Sequence, residues 1–130
     1  MRNIKIIIPL IILFTISCKK EKNRICEIYS EEMGYEIGRI ESYITGLGRV
    51  TYRYTYTVNG NSYKGKEKHY GIGQTNETLV GKDFLVVYKL NSPGESDLNV
   101  SYSVGSQMEL EQKKMEFENN PPKPDWPKCD

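Results

Sequence analysis

The side chains that most often do chemistry in enzymes are sparse in this sequence. His69 is the single histidine, so any Ser-His-Asp or Cys-His arrangement would have to use it. It lies between Lys68 and Tyr70 at the end of an alternating segment, where an exposed histidine without a catalytic role is the ordinary explanation. The three cysteines include no CxxC pair, and together with one histidine they predict no metal site.

The acidic residues do not form a catalytic pattern either. Glu67 is the one acid that the strand pairing described below places beside aromatic rings, and glycoside hydrolysis usually needs a second carboxylate across the site. No second carboxylate is predicted there. The segment Gly71–Gly73 is too short for a phosphate-binding loop. The sequence therefore predicts a non-catalytic protein without a cofactor, and a small hydrolase is the less favoured alternative.

The N-terminal residues predict export and lipid attachment. A basic N-terminus precedes the apolar residues 6–16, which as a helix would rise about 17 Å, less than the ~30 Å hydrocarbon core of a bilayer. That length suits a signal peptide. The segment ends at Cys18 and resembles the lipobox of bacterial lipoproteins, with Thr15 where leucine is usual. We therefore predict a signal peptide over residues 1–17 and an acylated Cys18 that anchors the chain to a membrane.

Residues 18–27 are predicted to be the lipidated cysteine and a polar tether. Lys19, rather than Asp, follows the cysteine, which favours the outer over the inner membrane of the cell envelope. Loss of residues 1–17 removes two basic residues, so that 18 basic and 17 acidic residues become 16 and 17, a net charge of −1. A nearly neutral domain has no global field that attracts nucleic acid, so no nucleic-acid partner is predicted.

Cys26 and Cys129 are the two cysteines left in the mature chain. In an oxidising compartment an even pair predicts a disulfide, and this one would close almost the whole domain. Two free thiols, or a bond from one cysteine to another molecule, are the alternatives.

The alternation of apolar and polar residues is strongest over Arg49–Val58, which predicts a strand. Asn59 and Gly60 follow, and this pair is preferred in a two-residue type I′ turn because both turn positions need φ > 0. The strand that returns from the turn is predicted over residues 61–69.

The turn determines which residues face each other in this hairpin. Tyr54 faces Gly65 and lies on one side with the other tyrosines of the strand, while Arg53 faces Lys66 on the opposite side. A like-charged pair is tolerated in water but not in a core, so the tyrosine side is predicted to be buried. A tyrosine surface that grips a ligand is the alternative. The opposite side carries four basic residues, called the basic strip below, which are the predicted contact for a ligand or partner: Arg53, Lys64, Lys66 and Lys68.

The rest of the chain predicts a small all-β domain. The further elements are strands over residues 36–44, 82–90 and 97–104, a turn over 91–94, a short C-terminal helix over 106–118 and a proline-rich tail over 119–130. The strand over 82–90 is apolar on both faces, which predicts a central position. Residues 28–118 are thus predicted to form a single domain, an antiparallel sheet of about five strands in a β-barrel or sandwich.

The order of these features carries a resemblance. Over residues 36–100 the tyrosine hairpin is followed by Val80-Gly81, by a Val-x-Tyr strand that ends at Tyr88, and by Pro93 in a turn. This arrangement is similar to a family of small uncharacterised bacterial β-domains that are often attached to membranes. The resemblance implies an all-β fold and implies no reaction.

Together these features predict a membrane-anchored lipoprotein that acts as a non-catalytic binding or inhibitor module of the cell envelope. Its predicted partners are the membrane, through Cys18, and an unidentified protein or envelope polymer. The alternative is a structural or accessory envelope component without a ligand of its own.

Overall fold

The computed structural model describes residues 19–46, 48–70, 79–125 and 127–129, without the side chains of His69 and Tyr70. These residues form two helices and five strands. In chain order they are α1 (residues 19–30), β1 (Met33–Gly46), β2 (Arg49–Val58), β3 (Asn61–Tyr70), β4 (Asp83–Lys89), β5 (Ser92–Ser103) and α2 (Gln107–Asn119). The predicted signal peptide, Cys18 and residues 71–78 lie outside the described residues.

The five strands form one antiparallel sheet in the order β3-β2-β1-β4-β5. Irregular pairing between Ile40 and Ser42, and at two points along the β4–β5 pair, bends the strands. The sheet curls until its two edge strands, β3 and β5, approach each other. The predicted antiparallel sheet of five strands is confirmed. The sheet is nevertheless open and does not form a closed barrel.

The β2–β3 hairpin has the predicted register. Asn59 and Gly60 have φ angles of 51° and 83°, as a type I′ turn requires. Tyr54 pairs with Gly65 across the two strands. The side chain of Tyr54 is 1 % exposed, so the tyrosine side faces the core as predicted.

The concave side of the curled sheet contains the larger of two apolar clusters. Its buried members come from β1, β2, β4 and β5: Ile40, Val50, Tyr52, Tyr54, Tyr56, Val58, Phe84, Val86, Tyr88 and Leu98. The ring of Tyr56 stacks with those of Tyr54 and Tyr63, with centroid separations of 5.9 Å and 5.5 Å. Burial of each large side chain stabilises the domain by about 1.5–3 kcal/mol.

The two helices cover the opposite side of β4. Leu85 and Val87 of β4 pack there with Ile28 of α1 and with Leu110 and Phe117 of α2. Because β4 also contributes to the concave cluster, it is buried on both faces, as its apolar sequence predicts.

The C-terminal helix α2 is capped by Ser106, the first residue of the predicted helical segment. The Ser106 hydroxyl oxygen accepts a hydrogen bond from the backbone N–H of Glu109, which satisfies a helix N–H that has no partner within the helix. Leu110 and Phe117 face the core, while Met108 and Met115 on the other side of the helix are exposed.

The segment interpreted as a polar tether, residues 18–27, is helical from residue 19 onward. Ile25 and Ile28 lie three residues apart and are both buried, at 2 % and 0 % exposure, which holds α1 against the sheet. Glu21 and Arg24 form an ion pair one helical turn apart on its surface. Neither helix of the described residues is long and apolar enough to cross a membrane.

The fifth strand begins earlier than predicted. β5 starts at Ser92, which pairs with Lys89, so the chain reverses through Leu90 and Asn91 alone. Proline is tolerated at the next position, Pro93, because β5 is an edge strand.

The proline-rich tail runs along the outer edge of β5. The Asn99 side-chain amide donates to the Lys123 carbonyl oxygen at 2.8 Å, and the Val100 backbone N–H donates to Asp125 Oδ2 at 3.0 Å. These bonds satisfy polar groups of a strand edge that would otherwise be open to pairing with another chain.

Candidate functional site

The basic strip lies on the convex face of the β2–β3 hairpin, away from the tyrosines. Arg53 pairs with Lys66 as predicted, and Lys64 and Lys68 are the next residues of β3 on the same face. The side chains of Arg53, Lys64 and Lys66 are exposed, and that of Lys68 is half-buried. In the described part of the chain none of the four forms an ion pair. By contrast, carboxylates pair with five other basic residues: Arg24, Arg39, Lys89, Lys113 and Lys114.

A shallow depression of about 910 Å³ lies within the basic strip. Arg53, Lys64 and Lys66 line it together with Gly65, and Glu41 lines its β1 side. The carboxylate of Glu41 accepts a hydrogen bond from the Thr55 hydroxyl at 2.9 Å rather than pairing with a cation. The depression therefore combines three cations with one carboxylate that is already hydrogen-bonded.

A second polar cluster is buried where β3 approaches β5. Glu67 of β3 is 5 % exposed and Asp97 of β5 is 2 % exposed. Their carboxyl groups are neighbours, because Glu67 accepts a hydrogen bond from the backbone N–H of Leu98, the residue after Asp97, and the charge of Asp97 acts on Glu67. The prediction that no second carboxylate lies beside Glu67 is wrong. Alternation assigns residues to the faces of single strands, whereas this contact arises because the whole sheet curls and brings its two edges together.

The groups around the two carboxyls donate to two of their four oxygens. The Leu98 backbone N–H donates to Glu67 Oε2 at 3.2 Å, and the Tyr29 hydroxyl donates to Asp97 Oδ2 at 2.6 Å. The Asn99 side-chain amide in turn donates to the Tyr29 oxygen at 3.1 Å. Asp97 Oδ1 is buried and has no N–H or O–H donor among the described residues if both carboxyls are ionised. A hydrogen bond between Asp97 and Glu67 forms only when one of the two carboxyls carries a proton.

Burial shifts the pKa of both carboxyl groups upward. Desolvation raises the pKa of Glu67 well above its usual range, and the neighbouring charge of Asp97 raises it further. Desolvation also raises the pKa of Asp97, while its hydrogen bonds with Glu67 and Tyr29 oppose that shift. Desolvation, followed by the charge of Asp97, raises the pKa of Tyr29, so its hydroxyl keeps its proton and acts as a donor.

This carboxyl pair does not form an open catalytic site. Both groups are almost fully buried, so a substrate would reach them only after part of the sheet opened. Across the described ranges no three or more His, Cys, Asp or Glu side chains come together in an arrangement that could hold a metal ion.

The structure places the remaining predicted site residues as follows. Cys26 of α1 and Cys129 of the tail form a disulfide, which confirms that predicted pairing and ties the first helix to the end of the chain. Cys18 lies outside the described residues, and so does the side chain of His69, whose backbone pairs with Val50.

No protein-family model, curated protein or solved structure matches this chain. The resemblance to a family of small bacterial β-domains therefore stays a prediction. The candidate sites rest on the chemistry of this chain's own residues, namely the exposed basic strip and the buried carboxyl pair.

Proposed function

We propose that this chain is a lipid-anchored, non-catalytic binding module of the cell envelope whose basic strip contacts a surface of anionic phospholipid head groups. The observation that carries the proposal is the position of Arg53, Lys64 and Lys66, three exposed cations without carboxylate partners around one depression. Cations concentrated on one face attract an anionic surface even when the net charge of the protein is near zero.

The side chains around these cations favour head groups over a protein surface. All the side chains that the structure describes on the convex face of the hairpin are polar, and the uncharged ones are Thr51, Thr55, Thr57 and Ser62. Hydroxyl groups can donate to phosphate oxygens, whereas protein interfaces usually depend on aromatic or large aliphatic anchors. The described side chains of this face include no such anchor.

Two further features support a place at the envelope membrane. If Cys18 is acylated, the lipid is attached one residue before Lys19, where the described part of α1 begins. The domain would then lie close to the head groups rather than at the end of a long tether. The Cys26–Cys129 disulfide fits an oxidising compartment such as the periplasm.

The test uses the mature chain with Cys18→Ser, so that binding does not depend on the acyl group. Its flotation with vesicles of phosphatidylcholine alone is compared with flotation on vesicles that also contain phosphatidylglycerol. We expect binding to the anionic vesicles only, weakened by added salt. Because each cation near an anionic surface contributes about 1 kcal/mol, neutralising three of them with Arg53→Gln, Lys64→Gln and Lys66→Gln should weaken binding about 100-fold.

A matched control removes the same charge elsewhere. Lys82, Lys123 and Lys128 are exposed and lie outside the basic strip. Replacing these three with glutamine should leave most of the vesicle binding in place. Equal losses of vesicle binding in the two triple variants would show that binding depends on net charge rather than on the basic strip. Absence of binding to anionic vesicles by the unmodified strip would refute the proposed surface.

A further inference from the structure

Side chains, rather than a ladder of backbone hydrogen bonds, join the two edges of the curled sheet. The backbone N–H of Leu98 points to the outer edge of β5, where no strand pairs with it. It donates to Glu67 Oε2 of β3. Two residues earlier on β5, the hydroxyl groups of Tyr54 and Ser96 are hydrogen-bonded at 2.7 Å, next to Asp97. The contact between Glu67 and the segment 96–98 is called the seam below.

We propose that Glu67 and Asp97 hold one proton between them and that this proton fastens β3 to β5 at the seam. Two ionised carboxyls in contact inside a protein repel each other, and Asp97 Oδ1 would be left buried without a donor. One shared proton removes the repulsion and satisfies that oxygen. The carboxyl pair of this chain is then a binding site for a single proton.

The hydrogen bonds assign the proton to Glu67. Asp97 Oδ2 accepts from the Tyr29 hydroxyl at 2.6 Å, a short bond of the kind made to an ionised carboxylate. Glu67 has one oxygen that accepts from the Leu98 N–H, which leaves the other free to carry the proton and donate it to Asp97. Glu67 is therefore the acid of the pair and Asp97 the carboxylate.

The charged groups around the seam do not replace this proton. From α1, the guanidinium of Arg24 faces the pair, but it donates to the Ser96 carbonyl oxygen at 3.2 Å and forms an ion pair with Glu21. From the tail, the charge of Asp125 acts on Asp97 and adds to the negative potential. The other titratable groups that face the seam are neutral phenols, Tyr29 of α1 and Tyr54 of β2.

A proton held only in the folded state makes stability depend on pH. In the unfolded chain Glu67 returns to its ordinary pKa of 4.5, whereas in the folded chain its pKa is well above that value. The folded state therefore binds more protons than the unfolded state above pH 4.5, and the stabilisation is complete below it. It is lost as the pH rises through the folded-state pKa, so alkalinisation loosens the seam.

The test compares urea unfolding of the mature chain and of Glu67→Gln from about pH 5 to about pH 9, the window in which the linkage acts. Glutamine keeps an N–H donor for Asp97 and an oxygen acceptor for Leu98 but cannot lose a proton there. The ratio of the two unfolding equilibrium constants should change up to about tenfold per pH unit within this window. Glu118→Gln, at an exposed glutamate of α2 that forms no ion pair with a described residue, is the control and should run parallel to the unmodified chain.

Two further measurements keep the proposal testable if Glu67→Gln fails to fold. The infrared carbonyl band of a protonated carboxyl group should be present in the unmodified chain at neutral pH and disappear as the pH rises through the folded-state pKa of Glu67. The amide of Leu98 should lose hydrogen-exchange protection at alkaline pH before that of Tyr54, which lies inside the sheet. A missing carbonyl band, a pH slope unchanged by Glu67→Gln, or stabilisation by added Ca²⁺ at constant pH would each overturn the one-proton site.

Discussion

Replacement of Gly65 by alanine should destabilise the domain although it adds only one methyl group. A Cβ atom built on Gly65 would lie 2.2 Å from Cζ of Tyr54 and 2.4 Å from its hydroxyl oxygen, well inside van der Waals contact. The ring cannot withdraw easily, since Tyr54 is 1 % exposed and its hydroxyl is hydrogen-bonded to Ser96 at 2.7 Å. The added carbon would therefore clash with a side chain whose ring and hydroxyl are both held in place.

Two effects of opposite sign determine the magnitude. Alanine in place of glycine restricts the unfolded chain, which would stabilise the protein by about 0.4–1 kcal/mol at an unstrained position. Insertion of a carbon into a packed core costs about 1–3 kcal/mol. Because the carbon at Gly65 meets a buried ring rather than a flexible chain end, we expect the clash to dominate, with a net loss of about 1–2 kcal/mol.

Urea unfolding of Gly65→Ala and of the matched control Gly46→Ala measures this loss. An added Cβ at Gly46 meets no atom within 4 Å, so the control should stay within about 0.5 kcal/mol of the unmodified protein. In a Tyr54→Leu background the outer half of the ring is gone, and most of the cost of Gly65→Ala should vanish. A cost that persists there, or one equal to that of Gly46→Ala, would refute the packing of Tyr54 over Gly65.

Three other predictions follow from the turn, the disulfide and the N-terminus. Gly60→Val should lower the free energy of unfolding by about 1–3 kcal/mol in thermal melts, because a β-branched residue is forced to a φ of 83°. The control Gly60→Asn should retain most of the stability. An unchanged midpoint for the valine variant would contradict the type I′ turn. Alkylation without reduction should leave Cys26 and Cys129 unlabelled in a mass spectrum. Reduction of their bond should cost up to ~4.7 kcal/mol, the chain-entropy value for a loop of about 100 residues, and labelled thiols before reduction would contradict the bond. Cys18→Ala should accumulate as an unprocessed precursor in membrane fractions, whereas release of both this variant and the unmodified chain as soluble protein would rule out the lipid anchor.

Local chemistry explains which parts of the fold could be predicted from the sequence. The Asn59-Gly60 turn sets the hairpin register through the φ angles that it needs, and no distant residue enters that argument. The cap of α2 depends in the same way on Ser106 and on an N–H three residues later. The apolar run of β4 indicates cover on both faces without identifying what provides it.

The helix α1 differs from the predicted tether, although the sequence contains a signal for a helix. The lysines at its start indicate a solvated tether, but Ile25, Ile28 and Tyr29 recur at the three- and four-residue spacing of one helix face. That face is short, and an isolated helix of this length is marginal in water. It is held by tertiary contacts, namely the cover over β4 and the disulfide to Cys129.

The carboxyl pair could not be predicted for a different reason. Glu67 and Asp97 lie on the two edge strands of the sheet, and neither the strand order nor the degree of curl follows from alternation. Asp97 occupies an ordinary polar position of an alternating strand, and only the approach of β3 to β5 buries it. A site formed by closure of a whole sheet leaves little trace in any single segment.

The same curl explains why tyrosine rather than phenylalanine occupies positions 54 and 56 of the core. The rings of Tyr54 and Tyr56 fill the concave side of the sheet, and their hydroxyls reach across it to β5, to the Ser96 hydroxyl and, at 2.6 Å, to the Pro93 carbonyl oxygen. A phenylalanine ring would fill the same space but leave the Ser96 hydroxyl and the Pro93 carbonyl oxygen without these hydrogen-bond partners, at a cost of about 1–3 kcal/mol for each unsatisfied group. An open sheet has an edge strand whose backbone polar groups need hydrogen-bond partners other than a neighbouring strand. In this chain the tyrosine hydroxyls satisfy one part of that edge, and Glu67 satisfies the next.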